Sequence, residues 1–210
     1  LADELNRATS RTQSALLEAM EEGRVTVDGV SRPVPDPFLV IATQNPAGAS
    51  GTQLLPDSQL DRFALRLTMG YPSPADELEL LQRKLRGGSM DPVGQAVDRD
   101  ELARLRELVD RVFVDDAVLD YILRLVHATR SHPQSAQGAS PRAAISVAGL
   151  AKACAFLRGR DYVVPEDVGH IWVDAIAHRL IPAAGSPPGA QRSMDIATQA
   201  LSSVRPPRLR

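Results

Sequence analysis

The sequence predicts an α/β segment followed by an all-α segment, with the boundary near Tyr71 to Pro74. The apolar run typical of a buried strand and the strongest hairpin signal both precede that boundary. After it, capped segments with apolar residues at helical spacing follow one another, and no further good strand is found. The 210 residues, 43% of them hydrophobic, are enough to bury a core.

The α/β segment begins with a helix and a hairpin. Ser10 and Gln13 have the spacing of a capping box, and Gly23 is placed to close the helix that follows. Asp28-Gly29, between short runs of β-forming residues, predicts a tight hairpin turn.

Two strands are predicted after the hairpin. The run over 38–43 is continuously apolar, as in a central parallel strand that is buried on both faces. A short loop and a turn of helix around 56–61 lead into a second predicted strand over 63–69. Gly70-Tyr71-Pro72 then breaks the chain.

The all-α segment contains five predicted helices. Each start has an N-capping residue, a proline at the first helical position, or both. The helices begin at Ser73-Pro74, Asp98, Asp115, Ser140-Pro141 and Pro165. The tail after Pro182 is rich in Pro, Gly and Ser, which is typical of disorder. The chain is therefore predicted to divide into residues 1–72, 73–182 and 183–210.

Composition excludes several classes of protein. A net charge of −2 gives no overall basic surface for nucleic acid or for an anionic membrane. A single cysteine, Cys154, cannot form an internal disulfide, and no Cys or His cluster has the spacing of metal ligands. The apolar runs are far shorter than the roughly 20 residues of a membrane span. We therefore expect a cytoplasmic protein.

An acidic doublet, Asp3-Glu4, follows residues that resemble the end of a buried strand. Phosphoryl transfer requires a metal site and an oriented water. One carboxylate of such a doublet can hold Mg²⁺, and its neighbour can polarise the attacking water. Acidic doublets are more often solvated surface residues, so the pair has meaning only in its context.

Asn45 lies just beyond the predicted buried strand. Open α/β sheets bind ligands at the carboxyl ends of their strands. An uncharged amide at that position can orient a water without competing for the metal. The ordinary alternative is a turn residue that precedes Pro46.

Two arginines supply candidate positive charge for a phosphate. Arg62 follows a helical turn, from which it can reach a neighbouring subunit, although a surface ion pair with Asp61 or Asp57 is the commoner role. Arg142 stands at the second position of the helix capped by Ser140, where free backbone amides favour an anion. An arginine at that end opposes the helix dipole, which favours a functional role.

The order of these motifs resembles the MoxR family of AAA+ ATPases. The resemblance covers about residues 1 to 181, and several motifs in fixed order make it specific. The matching motifs are Asp3 to Ala8, Thr12 to Glu22, Val25 to Gly29, Ile41 to Pro46, Leu55-Pro56, Gln59 to Phe63, Ser140 to Ala143 and Gly159 to Val163.

The resemblance implies a fold, a cofactor and residue roles. The fold is the C-terminal part of a P-loop AAA+ core with a parallel sheet, followed by an all-α lid, and the cofactors are ATP and Mg²⁺. Asp3 becomes the Walker B magnesium ligand and Glu4 the residue that activates water. Asn45 becomes sensor 1, Arg62 the arginine finger and Arg142 sensor 2.

The resemblance also implies partners. Family members form hexameric rings and act as chaperone-like ATPases, typically with a protein that bears a von Willebrand factor A domain and with a client enzyme complex. Three alternatives stay open: a non-hydrolysing interaction module, a nucleic-acid-linked motor of the helicase-loader type, and a magnesium-chelatase-like subunit.

Three departures from the family limit what the resemblance implies. No GxxxxGK[ST] loop occurs in the sequence, so we expect the chain alone to hydrolyse ATP inefficiently. Because the opening residues resemble the end of a buried strand, we also expect the chain to be a fragment. The segment 47–52 differs from the commoner acidic version. Val164 stands where the lid helix often has Thr before Pro-Glu-Asp, a loss of N-cap worth about 1 kcal/mol.

Overall fold

The computed structural model describes residues 1–44, 55–86, 93–183 and 190–208. Asn45 and the segment 47–52 lie outside these residues. The helices are α1 (Ser10–Glu22), α2 (Asp57–Leu60), α3 (Pro74–Leu85), α4 (Arg99–Asp110), α5 (Asp116–Arg130), α6 (Pro141–Leu157), α7 (Pro165–Ile176) and α8 (Ala190–Ser203). The strands are β1 (Arg24–Val27), β2 (Val30–Pro33), β3 (Ser135–Gln137) and β4 (Ile181–Pro182). Within the described ranges, no helix has the length and apolar content that a membrane crossing requires.

The predicted hairpin is confirmed. Strands β1 and β2 pair antiparallel with Val27 opposite Val30. Asp28 and Gly29 both have positive φ, 52° and 76°, which is the backbone of a type I′ turn. All eight strand residues are exposed, so the hairpin extends from the body of the chain.

Helix α1 begins at Ser10, the residue that was predicted to cap it. Thr9, rather than Ser10, is the N-cap, and its Oγ1 accepts a hydrogen bond of 3.2 Å from the Thr12 amide. Gln13 does not complete a capping box, because its side-chain amide donates to the carbonyls of Leu5 and Ala8 instead. The helix ends at Gly23 in the left-handed conformation, as predicted.

The prediction of a strand buried on both faces over 38–43 is wrong for the described residues. Ala42 forms a parallel bridge with Ala2, but Leu39 and Ile41 are exposed. A parallel strand is buried on both faces only when strands flank it and helices cover the sheet. Among the described residues, the segment at Ala2 is its one parallel neighbour.

The predicted strand over 63–69 is also absent. The Phe63 carbonyl accepts from the side chains of His178 and Arg179, and the Arg66 amide donates to the Asp174 carbonyl. Two backbone groups that a sheet would use are therefore bound by residues at and just after the end of α7 instead.

In the all-α part, which is called the lid and comprises α3 to α8, helices α3 to α6 begin after their predicted N-caps. Ser73, Asp98, Asp115 and Ser140 each accept a backbone amide hydrogen bond through the side chain at the N-terminus of α3, α4, α5 and α6. Val164 precedes α7 without a side-chain cap, as predicted. The core of the lid is formed by α5, α6, α7 and α8, with Trp172, Ile122, Leu125 and Val147 fully or nearly fully buried.

The tail over 183–210 was predicted to be disordered, but residues 190–203 form helix α8. Ile196, Ala197 and Ala200 are buried against the lid core, and the Trp172 indole donates 2.9 Å to the Ala197 carbonyl. Helical spacing of these apolar residues decides the structure. The Pro and Gly residues of the segment before the helix dominate the average composition and conceal that periodicity.

A buried carboxylate holds the start of α7 to the end of α6. Asp167 accepts from Arg160 at 2.6 and 2.7 Å, from Arg158 at 2.9 Å and from the Val164 amide at 3.0 Å. Burial by itself raises the pKa of Asp167, but these donors outweigh it and hold the pKa below its usual range. The carboxylate therefore stays ionised inside the lid.

Candidate functional site

The acidic doublet Asp3-Glu4 lies at the carboxyl ends of two parallel segments, which pair at Ala2 and Ala42. The Ala2 amide donates to the Ile41 carbonyl at 2.8 Å, and the Thr43 amide donates to the Ala2 carbonyl at 3.0 Å. The Leu5 amide continues this ladder with a 3.0 Å bond to the Thr43 carbonyl. Asp3 and Glu4 therefore share one edge with Thr43, the edge at which open α/β sheets bind ligands.

Thr43 fixes both members of the doublet. Its hydroxyl donates 2.5 Å to Oδ1 of Asp3 and accepts 2.9 Å from the Glu4 amide. Sequence reasoning missed this residue, although its position directly after the predicted strand was a signal that it lies at the same edge. The contacts leave the exposed Asp3 carboxylate in a defined orientation.

Glu4 has an unusual backbone conformation. Its φ of 47° and ψ of 49° place it in the left-handed region, which costs an ordinary residue about 1–2 kcal/mol. Such strain is common at functional sites. The Glu4 carboxylate lies 3.1 Å from Nε of Arg7, across the short 3₁₀ helix Leu5–Arg7.

Arg62 and Arg142 meet at one carboxylate, that of Glu21 in the last turn of α1. Nη1 of Arg62 lies 2.5 Å from Oε2, and Nη1 of Arg142 lies 2.5 Å from Oε1. The side chains of Arg62, Arg142 and Glu21 are 32%, 52% and 31% exposed. Glu21 and Arg142 each oppose the dipole of their own helix, so each stabilises the other.

The candidate residues thus form two groups. Within the described part of the chain, no hydrogen bond or ion pair joins Asp3 or Glu4 to Arg62 or Arg142. Asn45, the predicted sensor 1, follows Gln44 just outside the described residues. The structure brings Asp3 and Glu4 together beside Thr43, at the carboxyl ends of two parallel segments, and Arg62 and Arg142 together at Glu21.

The acidic group suits Mg²⁺ that is bound mainly through phosphate and water. Mg²⁺ typically uses one or two carboxylates together with substrate phosphates, and it keeps several waters. Asp3 offers one exposed carboxylate, and no group of three or more potential metal ligands occurs among the described residues. The donor set therefore fits a nucleotide-linked cation better than an all-protein cage.

The lid contacts the chain on either side of Arg62. Asp61 accepts a 3.0 Å hydrogen bond from Ser140, and its Oδ1 lies 3.2 Å from Nε of Arg179. Burial lowers the pKa of Arg179, and the charge of Arg142 adds to this, whereas Asp61 opposes it. Burial also lowers the pKa of the neighbouring His178 to about 4. These lid residues were not among the sequence candidates.

Two family profiles match the chain. Residues 1–65 match the ATPase family associated with various cellular activities (AAA). Residues 127–200 match the AAA lid domain. The second match includes most of α8, the helix that composition did not predict.

Comparison with individual proteins agrees with the profiles. The chain is 44% identical to the uncharacterised protein YeaC of Bacillus subtilis over 181 residues, which cover 86% of this chain and 57% of that protein. It is 43% identical to chaperone MoxR1 of Mycobacterium tuberculosis over 190 residues, which cover 86% of this chain and 50% of that protein. The chain therefore spans between half and three-fifths of the length of these relatives.

A crystal structure of a Cytophaga hutchinsonii protein with a proposed ATPase assignment superposes with a TM-score of 0.87 at 35% identity. That similarity covers 99% of this chain and 66% of the other protein. Sequence, profile and structure agree on both the core segment and the lid. The chain belongs to the MoxR family of AAA+ ATPases.

Proposed function

We propose that the protein containing this chain is a Mg²⁺-ATP-dependent ATPase that acts as a chaperone-like remodeller of protein complexes. The observation that carries the proposal is the parallel pairing of Ala2 with Ala42, because ligands of open α/β sheets bind at the carboxyl ends of parallel strands, where Asp3 and Glu4 follow Ala2. The relative MoxR1, named a chaperone, supports the remodelling role. The GxxxxGK[ST] loop is not encoded in these 210 residues, so turnover is proposed for the whole protein rather than for this chain alone.

Asp3 and Glu4 have different proposed roles, in metal binding and in activation of the water. Asp3, oriented by Thr43, would hold Mg²⁺, which neutralises charge on the phosphates when it is bound. The Glu4 carboxylate accepts a hydrogen bond from the attacking water and takes up its proton as the water oxygen bonds to the γ-phosphorus, while the bond from that phosphorus to the bridging oxygen breaks and ADP leaves. Nε of Arg7 lies 3.1 Å from Oε2 of the same carboxylate, so Arg7 and the water would compete for that oxygen. Asn45 is proposed to orient the water through its amide.

Arg62 and Arg142 supply positive charge to phosphates. A guanidinium matches phosphate with paired donors, and Arg142 also lies beside the free amides at the start of α6. Arg62 follows the short helix α2, and we assign its phosphate to the adjacent subunit of a ring, the role that an arginine finger has in the family. In this arrangement Glu21 and a phosphate compete for the same guanidinium donors.

The assembly we propose is a hexameric, cytoplasmic ring that works with a von Willebrand factor A domain protein and a client enzyme complex. A net charge of −2 provides little general attraction for nucleic acid. The exposed hairpin β1–β2 offers a surface for a ring pore or a protein partner.

The test is the Glu4→Gln variant of the full-length protein. The amide cannot accept the proton of the water, so ATP binding is retained and turnover is lost. Glu22→Gln is the matched control, because Glu22 is an exposed carboxylate on α1 without a described ion pair. Wild-type turnover in Glu4→Gln removes Glu4 from the mechanism. A wild-type protein that binds its partner but hydrolyses no ATP favours the interaction module instead.

A further inference from the structure

The backbone on both sides of Arg62 is held by one buried side chain of the lid. Nη2 of Arg179 donates to the Phe63 carbonyl at 2.8 Å and to the Asp61 carbonyl at 3.3 Å. Nε2 of His178 also contacts the Phe63 carbonyl, at 2.9 Å. The Arg179 side chain is 1% exposed, so its guanidinium donates from inside the protein. The residues that flank Arg62 are therefore fixed relative to the lid.

Asp61 extends this connection to the start of α6. Its carboxylate accepts from the Ser140 hydroxyl at 3.0 and 3.3 Å. Nε of Arg179 lies 3.2 Å from the same carboxylate, as an ion pair rather than a directed hydrogen bond. Ser140 is the N-cap of α6, two positions before Arg142. A continuous set of contacts therefore links the start of α6 to the residue before Arg62.

A guanidinium suits this connection because it is planar and keeps its charge, so it can donate to several acceptors in a fixed geometry. Ser146 of α6 accepts a further bond from Nη2 of Arg179 at 3.1 Å. Arg179 thus contacts both the lid helix that carries Arg142 and the segment that carries Arg62. Movement of α6 is transmitted to Arg62 because packed, hydrogen-bonded side chains do not deform independently.

We propose that Arg179 is a positioning residue that couples the lid of one subunit to the ATP site of the next subunit through Arg62. The proposal rests on the proposed function, in which Arg62 contacts the neighbour's nucleotide. Movement of the lid then changes where Arg62 lies at the subunit contact. Arg179 itself touches no nucleotide.

The test uses Arg179→Lys in the full-length protein. Lysine keeps the charge, but its single ammonium cannot lie both beside the Asp61 carboxylate, which Nε of Arg179 approaches, and at the site of Nη2, which contacts the two carbonyls and Ser146. Displacement of a reacting group by about 1 Å costs on the order of 100-fold, so kcat is expected to fall by up to about that factor. The KM for ATP stays near the wild-type value, because the subunit's own binding residues are intact.

Mixed rings separate an effect on the neighbour from an effect on the subunit itself. A Glu4→Gln subunit has an inactive site but an intact Arg62, and an Arg62→Ala subunit has the opposite defect. Arg179→Lys is expected to recover turnover when it is mixed with Glu4→Gln and to recover none when it is mixed with Arg62→Ala. Recovery with Arg62→Ala, or with neither partner, overturns the proposal, because the defect then lies in the subunit's own site.

A mixture of Glu4→Gln with Arg62→Ala tests the proposed function separately. If this mixture recovers no turnover, or if either variant alone is fully active, the assignment of Glu4 and Arg62 fails before Arg179 is considered. If it recovers turnover and Arg179→Lys behaves otherwise than expected, only the coupling proposal fails.

Two further variants address folding. Arg160→Lys weakens another arginine–carboxylate contact of the lid, that with Asp167, without touching residues 61–63. It is expected to lower the melting temperature without giving the Arg179→Lys pattern in mixed rings. If Arg179→Lys does not fold, Asp61→Asn takes its place, because it removes the ion pair with Arg179 while keeping the size of the side chain. The same mixtures and the same outcomes then decide the proposal.

Discussion

Thr43 donates a 2.5 Å hydrogen bond to Asp3, a residue forty positions earlier in the chain. The bond spans two parallel segments at their carboxyl ends, and the same hydroxyl accepts the amide of Glu4. One small side chain therefore sets the position of the proposed metal ligand and of the proposed base. Residues of this kind, which orient a ligand without binding the metal, are often as important as the ligand.

The Thr43→Val variant tests that role. Valine keeps the shape of threonine but neither donates to Asp3 nor accepts from Glu4. Loss of a residue that orients a metal ligand typically costs 10–100-fold in metal affinity or activity, so we expect the Mg²⁺ concentration for half-maximal turnover to rise by about that factor. Thr43→Ser is the control, because it keeps the hydroxyl. Equal Mg²⁺ requirements for the two variants contradict the assignment.

A second prediction concerns Glu21, which Arg62 and Arg142 share. Exposed ion pairs contribute about 0.2–1 kcal/mol each, so Glu21→Gln should change stability little. It frees Arg142 for phosphate, and ATP is expected to bind about two- to fivefold more tightly. The measurement is a titration with a fluorescent ATP analogue, with Glu22→Gln as the control. Weaker binding in Glu21→Gln indicates that Glu21 aligns the arginines instead of competing for them.

The missing cap of α7 gives a prediction about stability. The Val164 amide already donates 3.0 Å to Asp167, but Val164 offers no side-chain acceptor in return. Val164→Thr supplies that acceptor and is expected to stabilise the lid by about 1 kcal/mol. Urea unfolding measures the change. Val164→Ala controls for the altered side chain, and a Val164→Thr protein no more stable than wild type contradicts the prediction.

His178 makes the stability of the lid depend on pH. Its pKa is lowered from 6.5 to about 4 by burial, with smaller contributions from the charges of Arg179 and Arg66. The native side chain is therefore neutral while the unfolded one takes up a proton below pH 6.5. Stability from this residue is complete above about pH 6.5 and falls towards pH 4, by about 3 kcal/mol at most.

Urea unfolding at a series of pH values, followed by circular dichroism, tests this dependence. His178→Gln should flatten the change between pH 6.5 and 4, because the glutamine does not titrate. His170→Gln removes an exposed histidine of the same lid and should keep the wild-type slope. Parallel slopes in wild type and His178→Gln assign the pH dependence to other groups.

The helix caps and the hairpin turn could be predicted from the sequence, because each is decided by residues that are neighbours in the chain. The caps at Ser73, Asp98 and Ser140 were identified because a side chain binds an amide two or three residues away. The hairpin was predicted because Asp28-Gly29 tolerates positive φ. In each case the residues that decide the structure are neighbours in the sequence.

The parts of the site that could not be predicted depend on distant pairs. The contact of Arg179 with the Asp61 carbonyl joins residues 118 positions apart, and no periodicity or composition records it. The sequence does not distinguish Glu21 from Glu22 at the end of α1, whereas the structure places Arg62 and Arg142 at Glu21. The doublet Asp3-Glu4 and the two arginines were identifiable as residue types, whereas their grouping depended on tertiary structure.

Trp172, the single tryptophan of the chain, is fully buried and donates its indole hydrogen to Ala197 of α8. Its ultraviolet emission therefore reports on one contact, the packing of α8 against α7. Undocking of α8 admits water to the indole and shifts that emission to longer wavelength. The protein thus contains an intrinsic optical probe of its last helix, and no attached dye is needed.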